Sequence, residues 1–459
     1  MARRYFFCGI GGSGMFPLAL ILKACGAIVS GSDRAYDQGK TPDKFGWMTS
    51  QGITLYPQDG SGVKDADVVI VSTAIEPTIP DVQMALSLSL PIQTRAELLS
   101  TLFNDSAVRI AVAGTSGKST VTGMIGVMLK TLGYDPTVMN GAIFRNEISQ
   151  NPYATAMTGQ GDIFVTESDE SDGSISLYRP TVGVLTNISL DHKPMPELID
   201  IFASYIDQCD QAVMNVDNVY VSRLAGARVG QCLTFSLRNP LADIYAHGIS
   251  VKPDGLSCRV TVRGADIPLQ LAVPGLHNLS NALAAMGVGV ALGIDAEKIC
   301  DALSQFQGVK RRLEIIGTSK NITVIDDFAH NPDKIIATLL TLKEFPGRIH
   351  IFFQPHGYGF LKLMASEIAQ AFADHLDSSD HVYLVEPYYA GGTVDRQVTS
   401  AHLKDMMREL GVNTRLCEDR ADVIKQIMVE IMPGDRVVVM GARDDTLSLF
   451  AQEILGQIS

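Results

Sequence analysis

Residues 109–120 read RIAVAGTSGKST, and the order of residue types in this stretch decides the fold around it. Arg109 to Ala113 is an apolar run of strand length, a glycine-rich turn follows, and the residues beyond Thr120 continue as a helix. A strand, a tight turn and a helix in immediate succession form the repeating unit of a parallel α/β sheet. The turn itself, Gly114, Thr115, Ser116, Gly117, Lys118, Ser119 and Thr120, has the chemistry of an anion cradle. Its glycines let backbone N–H groups turn inward, and the helix N-terminus adds positive potential. Lys118 is long enough to reach a terminal phosphate, and the Ser119 hydroxyl suits Mg2+. Val112 stands where the most common version of such loops has a further glycine.

Toward the N-terminus the same logic appears once more. An apolar strand from Tyr5 to Ile10 runs into Gly9-Ile10-Gly11-Gly12-Ser13-Gly14, a helix spans about Met15 to Cys25, and a second strand over Ala27 to Ser30 ends in Ser32-Asp33. Glycines at 9, 11, 12 and 14 admit a pyrophosphate close to a helix N-terminus, and an acid about twenty residues on can take a ribose hydroxyl. Read alone, this motif fits a nicotinamide-dependent dehydrogenase as well as any other binder of a nucleoside diphosphate. Arg3-Arg4 before an apolar stretch has the outline of a secretory leader. The glycines, Lys23 and the lack of a small-residue cleavage site before Gly31 favour the strand-turn-helix reading.

A further strand at Val68 to Ser72 and a helix over Arg95 to Phe103 precede a polar break at Asn104-Asp105-Ser106. After Lys310-Arg311-Arg312 the pattern restarts, with strands expected at Ile322 to Asp326, Ile349 to Phe353, His381 to Val385 and Arg436 to Met440. The expectation is an α/β chain of three domains: a Rossmann-like domain over 1–105, a central P-loop ATPase-type domain over 106–313, and a C-terminal Rossmann-like domain over 314–459.

Composition narrows the function. The 459 residues carry 50 acidic and 37 basic side chains, a net charge of -13, which opposes general binding to nucleic acid or an anionic membrane surface. No uncharged apolar run has the length of a membrane span, so no membrane insertion is expected. Seven widely spaced cysteines without a C-x-x-C pair read as reduced thiols, and a cytoplasmic location is expected.

Three more groups carry candidate chemistry. Glu167-Ser168-Asp169-Glu170-Ser171-Asp172 closes a strand, and Asp191-His192 follows the next one. Acids at neighbouring strand ends can face one crevice, where carboxylate oxygens and His192 suit cations beside a phosphate loop. The same run also fits a solvated turn. Asn278 and Asn281 in a helix opening, Arg311-Arg312, and Asp326-Asp327-Phe328-Ala329-His330 fit capping residues and a linker equally well when taken singly.

Together and in this order, GIGGSGM (9–15), GSD (31–33), VSTAI (71–75), RAELL (95–99), AVAGTSGKST (111–120), ESDESDGS (167–174), TNISLDH (186–192), PGLHNLSNALAA (274–285), GVKRRLE (308–314) and DDFAHNP (326–332) closely resemble the ATP-dependent Mur ligases of peptidoglycan synthesis. The likeness spans nearly the whole chain. It points to the branch that joins UDP-N-acetylmuramate to L-alanine or, in peptidoglycan recycling, to the tripeptide L-Ala-γ-D-Glu-meso-diaminopimelate. It implies a carboxylate-amine ligase working through an acyl phosphate, with ATP and Mg2+ as cofactors. The partners would be UDP-N-acetylmuramate or a close relative and an amino acid or short peptide.

On this resemblance Gly9, Gly11, Gly12, Ser13, Gly14, Asp33 and Ser72 hold the UDP-sugar, and residues 114–120 hold the ATP phosphates. Ser119 and Glu167 take one metal ion and His192 a second, Asn278 and Asn281 approach the adenine, and Arg312 and Asp327 approach the ribose or phosphates. Lys118, Glu167, His192 and His330 form the expected catalytic set. A nucleotide-sugar-binding relative without ligase activity is the other class. One departure bears on the acceptor. The alanine-adding branch carries a QPHRYSRT-like segment whose two arginines hold the amino-acid carboxylate, whereas this chain reads Gln354-Pro355-His356-Gly357-Tyr358-Gly359-Phe360-Leu361-Lys362.

Overall fold

The strands of the N-terminal third are β1 (Arg4–Cys8), β2 (Ile28–Ser32), β3 (Thr54–Tyr56), β4 (Val68–Val71) and β5 (Ile92–Thr94), parallel in the order β3-β2-β1-β4-β5. They come from a computed structural model that describes residues 2–73, 75–149, 151–190, 193–389, 396–442, 444 and 446–459. β1 stops at Cys8, two residues short of the sequence expectation, because Gly9 turns the chain at φ +79°. Helix α1 (Met15–Ala24) then packs its Phe16, Leu18, Ile21 and Leu22 into the core beneath this sheet. Gly31 pairs with Phe7 of β1, and a Cβ there would sit 2.5 Å from the Phe7 carbonyl oxygen.

The middle third forms a ten-stranded sheet. Its strands are β6 (Val108–Ala113), β7 (Thr137–Met139), β8 (Ala156–Met157), β9 (Ile163–Glu167), β10 (Val182–Leu185), β11 (Gln211–Asn215), β12 (Cys232–Ser236), β13 (Ile244–Lys252), β14 (Gly255–Val262) and β15 (Ala265–Leu271). The order is β15-β14-β13-β12-β11-β10-β6-β9-β7-β8. β6 sits between β9 and β10, both parallel to it, so the loops leaving all three emerge at one edge. That edge, outside the carboxyl ends of parallel strands, is where open α/β sheets bind ligands. Helix α2 (Lys118–Thr131) follows β6, and its residues Ser119 to Leu129 are buried. Helix α3 (Leu276–Ala291) begins three residues earlier than the small-residue pattern suggests, which brings His277 and Asn278 into its first turn.

The last third holds β16 (Glu314–Ser319), β17 (Ile322–Asp327), β18 (Ile349–Gln354), β19 (His381–Leu384), β20 (Thr414–Leu416) and β21 (Arg436–Gly441), in the order β16-β17-β21-β18-β19-β20. All pairings are parallel except β16 with β17, an antiparallel edge hairpin. Helices α4 (Pro332–Lys343) and α5 (Tyr358–His375) cover one face through Ile335, Leu339, Leu361, Ile368 and Phe372. The architecture is the three-sheet α/β arrangement expected from the sequence. By compactness the described chain divides into two units, one of 1–247 with 259–269 and 280–307, the other of 248–258 with 270–279 and 308–459. No helix among the described residues is long and apolar enough to cross a membrane.

Candidate active site

The phosphate loop is held open by the strand beside it. Gly114 has φ +128° and Gly117 φ +90°, values that a side chain would strain. The carboxyl end of β10 grips the loop. Thr115 N–H donates to the Asn187 carbonyl at 3.1 Å, and Ser116 N–H donates to the Asn187 side-chain oxygen at 2.9 Å. The Asn187 amide and the Thr186 hydroxyl both donate to the Ser116 carbonyl, at 2.9 and 2.7 Å. Thr186 and Asn187 thus position the loop, a role not among those expected for them. The Asn281 side chain lies against Gly117, whose added Cβ would meet its Oδ1 at 2.6 Å. Thr120 is buried at the start of α2.

Lys118 does not point into solvent. Its Nζ donates to the Gly114 carbonyl and to Glu170 Oε2, both at 2.8 Å, and Glu170 is 2% exposed. Burial works against the ammonium's charge, yet Glu170, Asp169 and Glu167 around it raise its pKa above the ordinary lysine value. The lysine is fixed and charged, tied to the loop through the Gly114 carbonyl and to the acidic run through Glu170. Glu170 sits in the acidic run, but its pairing with Lys118 has no signal in the sequence.

Ser119 and Glu167 converge on Gly141. A Cβ on that glycine would lie 2.9 Å from Glu167 Oε1 and 3.4 Å from Ser119 Oγ, and Gly141 N–H donates to Glu167. A hydroxyl and a carboxylate side by side are hard oxygen donors of the kind Mg2+ takes, and such sites usually employ one or two carboxylates and complete the shell with phosphate and water. The donor set fits that ion. Among the described residues no three His, Cys, Asp or Glu side chains form a cation cage. His192 lies outside the described residues.

The glycine loop after β1 is supported from two sides. Asp33 Oδ2 accepts from Gly11 N–H at 2.8 Å, while its Oδ1 caps a short helix at Ala35 N–H, also at 2.8 Å. Asp33, expected at the ribose of the UDP-sugar, thus has both oxygens engaged by backbone N–H groups and braces the glycine loop. Gly12 N–H donates to the Gly9 carbonyl at 3.1 Å and closes the turn that carries Ser13. Lys44 Nζ donates to the Gly11 carbonyl at 2.6 Å, a cation beside the loop that no motif marks. Ser72 follows β4, its carbonyl accepting from Ile75 N–H at 3.0 Å, and the Ile75 side chain packs over Gly9. Arg95 lies against Gly14 and pairs with Asp172 at 3.1 Å, so one arginine connects the glycine loop to the acidic run.

Asn278, Arg312, Asp327 and His330 belong to the second unit. The Asn278 amide donates to the Pro274 carbonyl at 2.7 Å within its own helix opening. Arg312 stacks on the Phe328 ring at 4.6 Å. Asp327 ends β17, accepts from the Thr338 hydroxyl and from Leu313 N–H, and is pushed toward its protonated form by burial. His330 is buried, its ring stacked on His356 at 4.7 Å and edged by Phe328 and Phe360. Its Nδ1 lies 2.8 Å from the Phe328 carbonyl, which only accepts, so Nδ1 carries the proton and Nε2 keeps its lone pair. Burial, with Lys334 nearby, holds the imidazole pKa well below the usual 6.5.

That shift sets an acid limb. Below about pH 6.5 the unfolded chain takes up a proton at residue 330 that the folded chain refuses, so this group lowers stability as pH falls. The stability gap between wild type and His330→Gln, measured by urea unfolding, is expected to narrow from pH 7.5 to pH 5.5. A gap that stays constant over that range would contradict a neutral, buried His330.

Comparison with known proteins finds likeness along most of the chain. Residues 4–107 match the family model described as Mur ligase family, catalytic domain; residues 112–289 match the Mur ligase middle domain; residues 311–443 match the Mur ligase, glutamate ligase domain. A UDP-N-acetylmuramate--L-alanine ligase of a Synechococcus species is 37% identical over 447 residues, covering 96% of this chain and 84% of its own. One of Streptomyces griseus is 34% identical over 460 residues, with coverages of 96% and 95%. Among solved structures, the UDP-N-acetylmuramate-alanine ligase of Thermotoga maritima aligns with a TM-score of 0.80 at 26% identity, over 99% of this chain and 98% of that one. A murein peptide ligase of Psychrobacter arcticus shares the fold at a TM-score of 0.72 and 24% identity, over 100% and 99% of the two chains. The chain belongs to the Mur ligase family and is an ATP-dependent ligase of the Mur type.

Proposed function

We propose that the chain joins the carboxylate of UDP-N-acetylmuramate to the amino group of L-alanine, with cleavage of ATP to ADP and phosphate. The observation that carries this reading is the phosphate loop. Its lysine is held charged by Glu170 and its neighbours, and Ser119 and Glu167 stand together beside it. Full-length likeness to relatives bearing that name supports the choice of substrates.

A carboxylate and an amine form only a salt in water, because the oxygen that must depart is a poor leaving group. In the proposed reaction a carboxylate oxygen attacks the γ-phosphorus, the bond from that phosphorus to the ADP oxygen breaks, and an acyl phosphate results. The amine then bonds to the acyl carbon, and phosphate departs with the electron pair of the C–O bond. Lys118 spreads the charge of the moving phosphoryl group, and the loop N–H groups hold its oxygens in line. One Mg2+ held by Ser119 and Glu167, and a second held by His192, would supply further neutralisation of phosphate charge. Gly9 to Gly14, with Asp33 and Ser72, would hold the UDP-sugar. Asn278, Asn281, Arg312 and Asp327 would hold the adenosine and phosphate end of ATP. The nitrogen becomes strongly acidic as the C–N bond forms, so even the weakly basic Nε2 of His330 suffices to take its proton.

A second acceptor reading, the tripeptide of peptidoglycan recycling, is favoured by open space beyond β18. Among the described residues a Cβ at the exposed Gly359 would meet no atom within 4 Å, and one at Gly357 only the Tyr388 carbonyl oxygen at 3.8 Å. A cytoplasmic location goes with either reading: ATP is available there, and all seven cysteines are free thiols, as expected of a reducing compartment.

The test is phosphate release from MgATP with UDP-N-acetylmuramate, offering L-alanine, other amino acids and L-Ala-γ-D-Glu-meso-diaminopimelate in turn, with Lys118→Ala as the blank. Release that depends on L-alanine is the expected result, and release that depends on the tripeptide selects the second reading. No release above the blank with any acceptor would sink both and leave a nucleotide-sugar-binding protein.

A further inference from the structure

Glu167, Asp169, Glu170 and Asp172 stand at the end of β9 and in the turn after it, and three of these carboxylates are held by backbone N–H groups. Glu167 accepts from Gly141 N–H. Asp169 accepts from Ser171, through its N–H at 2.9 Å and its hydroxyl at 2.8 Å. Asp172 accepts from Ser174 N–H at 2.9 Å and from Arg95 at 3.1 Å. Glu170 differs. It is buried, and among the described residues its one hydrogen bond is the 2.8 Å contact with Lys118 Nζ.

The loop that is to receive phosphate therefore already has an anion on its lysine. Of the three N–H donors of the ammonium, one goes to the Gly114 carbonyl and one to Glu170. Around that single positive charge stand Glu170, Asp169 and Glu167, while Arg95 offsets Asp172 alone. A bare phosphate entering here meets like charge from all three. When Lys118 turns to a phosphate oxygen, Glu170 loses its donor and remains a buried charge beside further negative charge, which is costly. A divalent cation arriving with the phosphate offsets that repulsion, and the oxygens of Ser119 and Glu167 suit it.

We propose that Glu170 is an internal competitor for Lys118: its carboxylate keeps metal-free phosphate off the loop, so that the loop selects nucleotide that comes with its divalent cation. The inference rests on the reading of residues 114–120 as the site of the ATP phosphates. It gives Glu170 a part in specificity separate from the metal-binding part of Glu167.

The experiment measures ATP binding by isothermal titration calorimetry, without UDP-sugar or acceptor, once in excess Mg2+ and once in EDTA. Wild type is expected to bind ATP about 100-fold more weakly in EDTA, the scale of unscreened repulsion from several carboxylates. Glu170→Gln keeps an oxygen for Lys118 and removes the charge. It is expected to bind ATP in EDTA roughly 10- to 100-fold more tightly than wild type, and to change MgATP affinity by a smaller factor. Asp172→Asn removes an equal charge from the Arg95 end of the same run and should move the affinity in EDTA by less than about threefold. Urea unfolding verifies that both variants are folded. No gain in EDTA for folded Glu170→Gln, or an equal gain for Asp172→Asn, overturns the assignment while the ligase reading stands. Wild type that binds ATP equally well in EDTA and in Mg2+ overturns it without any variant. Wild type that does not bind MgATP overturns the phosphate-site reading, and this inference with it.

Discussion

Lys118→Ala is expected to lower kcat for phosphate release by about a thousandfold or more, the scale of removing a preorganised cation from a developing phosphoryl charge. It should also destabilise the protein, for a reason separate from catalysis. Lys118 is the partner of Glu170, a carboxylate that is 2% exposed, and breaking a buried pair on one side costs about 3–5 kcal/mol because the remaining charge is left alone in a poor solvent. Two measurements separate the effects. Lys118→Met with Glu170→Gln removes both charges, so urea unfolding should show most of the lost stability restored while phosphate release stays at the blank. In wild type, MgATP should raise the unfolding midpoint by mass action, and in either Lys118 variant that shift should shrink. A single Lys118→Ala variant as stable as wild type would refute the buried pair, and one that still turned over would refute the role of the loop.

Glu167 is the second position where a large effect is expected, and a conservative change isolates its chemistry. Its carboxylate accepts from Gly141 N–H and stands beside Ser119 Oγ. Glu167→Gln keeps an oxygen for Gly141 and removes the charge, so folding stability should change little. The Mg2+ concentration for half-maximal activity should rise about tenfold or more, and kcat at saturating Mg2+ should fall by about 100-fold. Glu167→Ala should add a stability loss of roughly 1–3 kcal/mol, because Gly141 N–H loses its acceptor. Unchanged Mg2+ dependence in Glu167→Gln, whatever its stability, would assign the residue to loop structure alone.

The phosphate loop, the glycine loop after β1 and the parallel strands around them are legible in the chain because each is a local event. An apolar run of five residues, glycines that adopt φ of +79° at Gly9 and +90° at Gly117, and a helix immediately after need only neighbours in sequence. The ends of such elements are less legible. β1 stops at Cys8 although Gly9-Ile10 continues the apolar pattern, and α3 starts at Leu276 although the small-residue pattern begins later. β7, β8 and β16 have hardly a strand signature of their own, since a strand of two or three residues, or one on an antiparallel edge, is stabilised by the partner it meets.

By itself, then, the sequence determined three α/β sheets, the phosphate loop with Lys118 and Ser119, and the family, all through residue types at short fixed spacing. Tertiary structure alone decided which distant groups became partners. It set Glu170 rather than its acidic neighbours on Lys118, and Asp33 on the Gly11 N–H. It joined Arg95 to Asp172 across 77 positions and stacked His330 on His356. These pairings depend on burial, and burial is a property of the closed core: a charge or a ring selects its partner from what remains when water is excluded, which no local spacing encodes.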